Sequence, residues 1–180
     1  MARFKLPAVI ATVLCLHCGT AAAINEELPA DIMTGLLPVT AYLIANNKDD
    51  DEGKKQFWRS NLISLVVNTT LRGALNKTSW ATRPNGHTYG FPSGHAAFVT
   101  TSAAFLQDRY GWSYGVPAYL VVGYVTYVRV DTGHHHWRDV IAGTALSVVV
   151  SKFVVTPYKT THITPIIGPD TIGLRWESSL

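Results

Sequence analysis

The chain is nearly devoid of cysteine. Cys15 and Cys18 are its only two, and both lie near the N-terminus. They have the spacing of a redox motif but sit in or beside the apolar part of a segment that reads as a secretory leader. Arg3 and Lys5 give the charged start, residues 6–16 are apolar apart from Thr12, and Ala21-Ala22-Ala23 offers a small-residue cleavage site. Neither cysteine follows the Leu-small-small pattern of a lipoprotein leader. The expected organisation is therefore a signal peptide over 1–23 and a single domain over 24–180. Such a mature chain holds no cysteine, which excludes disulfides and cysteine nucleophiles.

A strong charge of either sign is also missing. Fifteen Lys and Arg against twelve Asp and Glu give a formal +3, and Arg3 and Lys5 would leave with the leader. No general basic field of the kind that holds nucleic acid remains. Long unbroken apolar runs are absent too, although hydrophobic residues make up 47% of the chain. Six apolar segments can be counted, at 6–23, 29–46, 56–76, 93–108, 115–130 and 138–155. Asp31 and two prolines interrupt the second, Arg59 and Arg72 the third, Pro117 the fifth and Lys152 the sixth, while the fourth is rich in Ser, Thr and Ala. A membrane-crossing helix needs about 20 mostly apolar residues, and the mean hydropathy is only +0.13. These features favour an exported periplasmic domain. The alternative is an inner-membrane protein that keeps the leader as its first span, with its site facing the periplasm.

Periodicity and punctuation predict helices over 28–46, 56–77, 93–109, 116–130 and 136–155, with a charged loop over 46–55 and a Gly- and Pro-containing loop over 79–91. The tail over 156–180 carries β-branched pairs and a Gly168-Pro169-Asp170 turn, which predicts a hairpin or extended pair. Valine is frequent in the last two helical segments, so propensity alone also allows strands there.

What is present is a set of residues suited to a tetrahedral oxyanion. Pro92-Ser93-Gly94-His95 opens the third helix. Serine is a favoured N-cap, and a helix start presents unpaired N–H groups and a partial positive charge. Gly94 lets a ligand approach the backbone. Downstream, His135 and Asp139 are four residues apart and meet on one helix face. A carboxylate bonded to one imidazole nitrogen leaves the other free to attack. Arg129 precedes His135 by six residues, with Gly133 placed for a tight turn between them, and Arg83-Pro84 lies upstream. The planar fork of arginine suits phosphate oxygens. The His134-His135-His136 run does not read as a metal site, because consecutive helical residues do not share a face.

These motifs resemble the type 2 phosphatidic acid phosphatase superfamily, which includes class A acid phosphatases and vanadium haloperoxidases. Its signature is Lys, six residues, Arg-Pro; then Pro-Ser-Gly-His; then Ser-Arg, five residues, His, three residues, Asp. Residues 92–95 match the second part in full, and Arg129, His135 and Asp139 match the third at full spacing. There are two departures. Asn76 stands at the lysine position with Lys77 beside it, and Val128 replaces the serine before Arg129. The resemblance implies an all-α bundle of about five helices and metal-free hydrolysis of a phosphomonoester or lipid-linked (pyro)phosphate, with no cofactor. His135 would be the nucleophile, Asp139 its orienting partner and His95 the acid. Lys77, Arg83, Ser93, Gly94 and Arg129 would bind the phosphate. The expected partners are a phosphate ester or lipid phosphate and a membrane surface, not nucleic acid. Many family members are integral membrane enzymes with six helices. A vanadate-dependent haloperoxidase and a non-catalytic phosphate-binding envelope protein are the competing readings.

Overall fold

The computed structural model describes residues 26–158, 161–168 and 171–178. The leader expected over 1–23 lies outside them. Five α-helices form the body: α1 Glu27–Asn47, α2 Asp51–Leu75, α3 Gly94–Tyr110, α4 Trp112–Asp131 and α5 Trp137–Val154. A 3-10 turn, Ser79–Ala81, lies between α2 and α3. The chain ends in an antiparallel hairpin, β1 Thr161–Gly168 with β2 Thr171–Ser178. The expected all-α bundle with a hairpin tail is what the chain builds.

The segment 46–55 differs from its expected form. Only its first half is a turn. The Asp50 carboxylate accepts the Gly53 N–H at 2.8 Å and caps α2, so Asp51 to Lys55 are helical. Asp51 and Glu52 fall in the first turn, where the helix dipole favours negative charge.

Helix α3 is the axis around which the others pack. Its Ala96, Ala97, Val99, Ala103, Ala104, Phe105 and Leu106 are all buried, as are Thr100, Thr101 and Ser102. The small side chains that made this stretch a poor candidate for lipid are what allow α2, α4 and α5 to close on it. Two seam hydroxyls converge on one backbone oxygen. Thr101 donates to the Ala97 carbonyl at 2.8 Å, and Ser147 of α5 donates to the same oxygen at 2.7 Å.

Two helices carry their polarity in an unusual sense. α2 turns Gln56, Ser60, Asn61, Ser64 and Asn68 inward and leaves Trp58, Leu62, Leu65, Val66 and Leu71 exposed. A helix on a water-facing surface does the reverse. α1 is apolar on both sides. Ala30, Met33, Leu37, Ala41 and Ile44 are buried, while Leu28, Ile32, Leu36, Val39 and Leu43 are exposed. Among the described residues α1 alone is both long and apolar enough to cross a membrane, by length and composition.

The pole that holds the tail is closed by a buried ion pair. Arg109 clamps Asp50 with Nε at 2.7 Å and Nη2 at 2.5 Å, and the Tyr110 hydroxyl donates to the same carboxylate at 2.8 Å. Arg109 Nη1 also donates to the Thr156 carbonyl at 2.8 Å, which ties the chain after α5 to the α1–α2 turn. Lys48 lies over the rings of Tyr110, Tyr114 and Tyr158. Burial alone would raise the Asp50 carboxyl, but the bonds from Arg109, Gly53 and Tyr110 outweigh it and hold the group below the ordinary carboxylate range. Both side chains are under a tenth exposed. Removing one partner leaves a buried charge uncompensated, which costs about 3–5 kcal/mol. Arg109→Met is expected to lower unfolding stability by about that amount in a denaturant titration. Asp50→Asn/Arg109→Met should lose less than the two single losses combined; strict additivity would show that the pair is not coupled.

Candidate active site

At the other end of α3 the predicted residues come together. Ser93 caps the helix, with Oγ accepting the Ala96 N–H at 3.4 Å. The Gly94 and His95 N–H groups have no partner among the described residues. Ser93 is itself held by α5, since its N–H donates to the Asp139 carbonyl at 2.9 Å. The contact is close because α5 has Gly143 there. A Cβ on Gly143 would lie 2.5 Å from the Ser93 carbonyl oxygen. No side chain fits, and any substitution pushes α5 away from the cap.

The turn between α4 and α5 places His135. The N–H groups of His134 and His135 both donate to the Arg129 carbonyl, at 3.1 and 3.0 Å. Gly133 takes φ +70°, a left-handed conformation that glycine adopts without strain. His135 precedes the first residue of α5 by two positions and is buried. Its Nδ1 lies 3.6 Å from Asp139 Oδ2, within ion-pair reach but beyond a hydrogen bond. Asp139, fully buried, uses Oδ2 to accept the His136 N–H at 2.8 Å, closing a capping box at the start of α5. The aspartate therefore anchors the helix that carries it and faces His135 together.

His135 is held neutral. Burial pushes its pKa down to about 3, the Arg83 guanidinium adds to the shift, and a backbone contact with Gly90 opposes it. His95 and Arg72 also act on it electrostatically. His95 is half exposed, and its Nε2 lies 3.7 Å from Asp31 Oδ1. The same oxygen contacts the guanidinium of Arg129, which is buried. Arg83 Nη2 approaches the Tyr89 carbonyl at 3.4 Å. Nε of Arg83, Nε of Arg129 and Oδ1 of Asp139 are buried without hydrogen-bond partners.

Thus His95, His135, Asp139, Ser93, Gly94, Arg83 and Arg129 gather at one end of the bundle. Lys77 does not join them. It is exposed just past the end of α2, and no hydrogen bond, ion pair or ring contact involves it among the described residues. Three further residues contribute, of which Arg72 and Asp31 were not foreseen. Arg72 lies against the start of α3: a Cβ on Gly94 would be 3.1 Å from its Nη1. Asn76 accepts the Tyr89 N–H at 3.0 Å through Oδ1. Asp31 enters from α1, more than sixty residues away in sequence from either of its partners. Of the flanking histidines, His134 bonds Thr132 at 3.0 Å and His136 caps α5.

A helix bundle with a cation-lined pole at a central helix start is an architecture for binding oxyanions between helix ends. The PAP2 superfamily model matches residues 5–162, and the chain belongs to that superfamily. It is 26% identical over 166 residues to the Lipid A 1-phosphatase of Porphyromonas gingivalis. That match covers 83% of this chain and 37% of the relative, so the chain spans well under half of that protein's length. No solved structure matches the chain significantly.

The buried neutral histidine has a consequence for stability. An unfolded histidine titrates near 6.5. Between that value and about 3 the unfolded chain binds a proton that the folded chain refuses. Stability therefore falls as pH drops through this window. Wild type is expected to lose about 2 kcal/mol more than His135→Gln between pH 7 and pH 5, in paired denaturation curves. Parallel pH profiles would show that His135 is not held neutral.

Proposed function

We propose that this protein is a phosphatase that hydrolyses phosphate monoesters or lipid-linked (pyro)phosphates through a phosphohistidine. The observation that carries the reading is the gathering of a buried neutral imidazole, a second histidine and several guanidinium groups around the free start of α3. The relative's name, a lipid A phosphatase, supports the substrate class.

In this reading the phosphoryl group rests against the Gly94 and His95 N–H groups, with Arg83 and Arg129 on its non-bridging oxygens. His135 turns Nδ1 towards Asp139, which leaves Nε2 to attack phosphorus. As the N–P bond forms, the bond to the leaving oxygen breaks, and His95 gives that oxygen a proton. A water then attacks phosphorus, His95 takes its proton, and the N–P bond breaks to release phosphate and free His135. The low pKa matters because a protonated imidazole has no lone pair with which to attack. Asp139 stabilises the positive charge that develops on the ring during attack.

A groove opening beside Arg72 and Gly94 runs between α2 and α3, past Leu65 and Phe98. Its apolar wall and its start at the phosphate pole suit an alkyl chain on the substrate. The apolar residues exposed along α1, α2, α4 and α5 exceed what a freely dissolved monomer usually shows. They favour the membrane-integral alternative over an exported soluble domain.

Purified protein should release phosphate in the presence of a chelator, and vanadate should inhibit it. His135→Ala should lose at least about a thousandfold in kcat with the fold retained. Near-wild-type turnover by that variant would remove His135 from the nucleophile's role. A panel of phosphatidate, polyprenyl pyrophosphate, lipid A and nucleotide monophosphates, compared by kcat/KM, should favour the lipid substrates. Preference for the nucleotides would overturn the lipid assignment.

On fractionation, the protein should stay with membranes through a carbonate wash and leave only in detergent. Release by osmotic shock would instead support the exported soluble form.

A further inference from the structure

The family's first motif places a lysine seven residues before its arginine, and this chain has Asn76 there. Four residues earlier, on the same face of α2, stands Arg72. Its guanidinium reaches the start of α3, with Nη1 3.1 Å from where a Cβ of Gly94 would lie. Its Nη2 donates to the Tyr89 carbonyl at 2.9 Å, and its Nε is buried without a partner. Arg83 turns to the same carbonyl. The Tyr89 backbone is left-handed, with φ +59°, and its N–H is held by Asn76 Oδ1. Two guanidinium groups thus share one carbonyl oxygen, and the charge of Arg72 acts on both His95 and His135. Like charges repel at such range, and a single neutral carbonyl does little to offset them. An anion seated between them does.

We infer that Arg72 is a phosphate-binding residue of the active site, supplying from one helical turn away the charge that Asn76 lacks, while Asn76 positions the Tyr89 carbonyl that aligns Arg72 with Arg83. This assignment rests on the phosphatase reading for its chemistry, but the binding of a tetrahedral anion tests it independently. It also withdraws that role from Lys77, which is exposed and makes no polar contact among the described residues.

The test uses the full-length protein in detergent and two measurements, kcat/KM on whichever substrate the wild type hydrolyses best and calorimetric affinity for vanadate. Charge-assisted bonds of about 1.5–3 kcal/mol translate into roughly 10- to 100-fold effects. Arg72→Gln is expected to lose that much in both. Arg72→Lys should keep part of the vanadate affinity, since it keeps the charge but not the fork. Arg72→Gln/Asn76→Lys should regain at least tenfold of the loss, a rescue that repair of packing alone would not give. The Arg72→Gln loss should exceed that of Lys77→Gln by at least tenfold. If Arg72→Gln stays within threefold of wild type in both measurements, or if Lys77→Gln loses more, the assignment is wrong. Should Arg72→Gln fail to fold, the Arg72→Lys vanadate affinity decides: unchanged affinity, or loss of all binding despite an intact fold, overturns the role. Absence of wild-type turnover with vanadate binding still dependent on Arg72 would refute the phosphatase reading and sustain this one.

Discussion

The contact on which this site depends is one backbone hydrogen bond. The Ser93 N–H donates to the Asp139 carbonyl, and Gly143 lets the two helix starts come close enough to make it. One partner is the cap of α3, which presents free amides. The other is the aspartate that faces His135 and closes the first turn of α5. The proposed nucleophile, His135, and the proposed anion cradle at the α3 start are therefore fixed relative to one another by main chain, not by long side chains. Transfer to a bound phosphoryl group rewards that kind of positioning, because misplacement by about an ångström costs orders of magnitude in rate.

The rest of the bundle serves to hold α3 in the middle. Its alanines, threonines and serines leave room for neighbours on almost every side, and the Thr101 hydroxyl bonds back to the Ala97 carbonyl. α2 contributes a polar inner face along its length, from Gln56 at the Thr156 end to Asn68 beside the α3 start, and its outward face is left with leucine, valine and tryptophan. The buried Asp50–Arg109 pair closes the far end. The guanidinium groups of the candidate site and the structural ion pair thus lie at opposite ends of one helix, so the carboxylate of Asp50 is not placed to compete for the arginines of that site.

Much of the site was legible because motif spacing encodes local geometry. Four residues from His135 to Asp139 place the pair on one side of the α5 start, and Pro-Ser-Gly ahead of a small-residue run marks a capped helix. The order and rough extent of the helices followed from the same punctuation. Arg72 was not legible as a site residue: inside an apolar segment it reads as an interruption, and only the packing of α2 against Gly94 shows where the guanidinium goes. Asp31 was hidden for a similar reason, since its partners lie on helices remote in sequence. The start of α2 was set too late because a run of Asn, Lys and Asp looks like loop until Asp50 is seen to cap it. Run length also misjudged α1, whose Asp31 turns towards cations at one end and leaves the remainder apolar.

Both departures from the family pattern are met by residues from outside the motif. Val128 is fully buried in the core that α4 shares with α1 and α3, where a serine hydroxyl would need a partner of its own. The neighbouring arginine, Arg129, is met instead by Asp31 from α1. Asn76 has no charge to offer, but the carbonyl it holds in place gathers two guanidinium groups that have charge in excess. A carboxylate that is half exposed, as Asp31 is, could return to water at small cost if the proposed phosphate took its place on Arg129. On the proposed reading the same carboxylate keeps the buried arginine paired in the absence of an anion, which a serine, a neutral donor and acceptor, would not do.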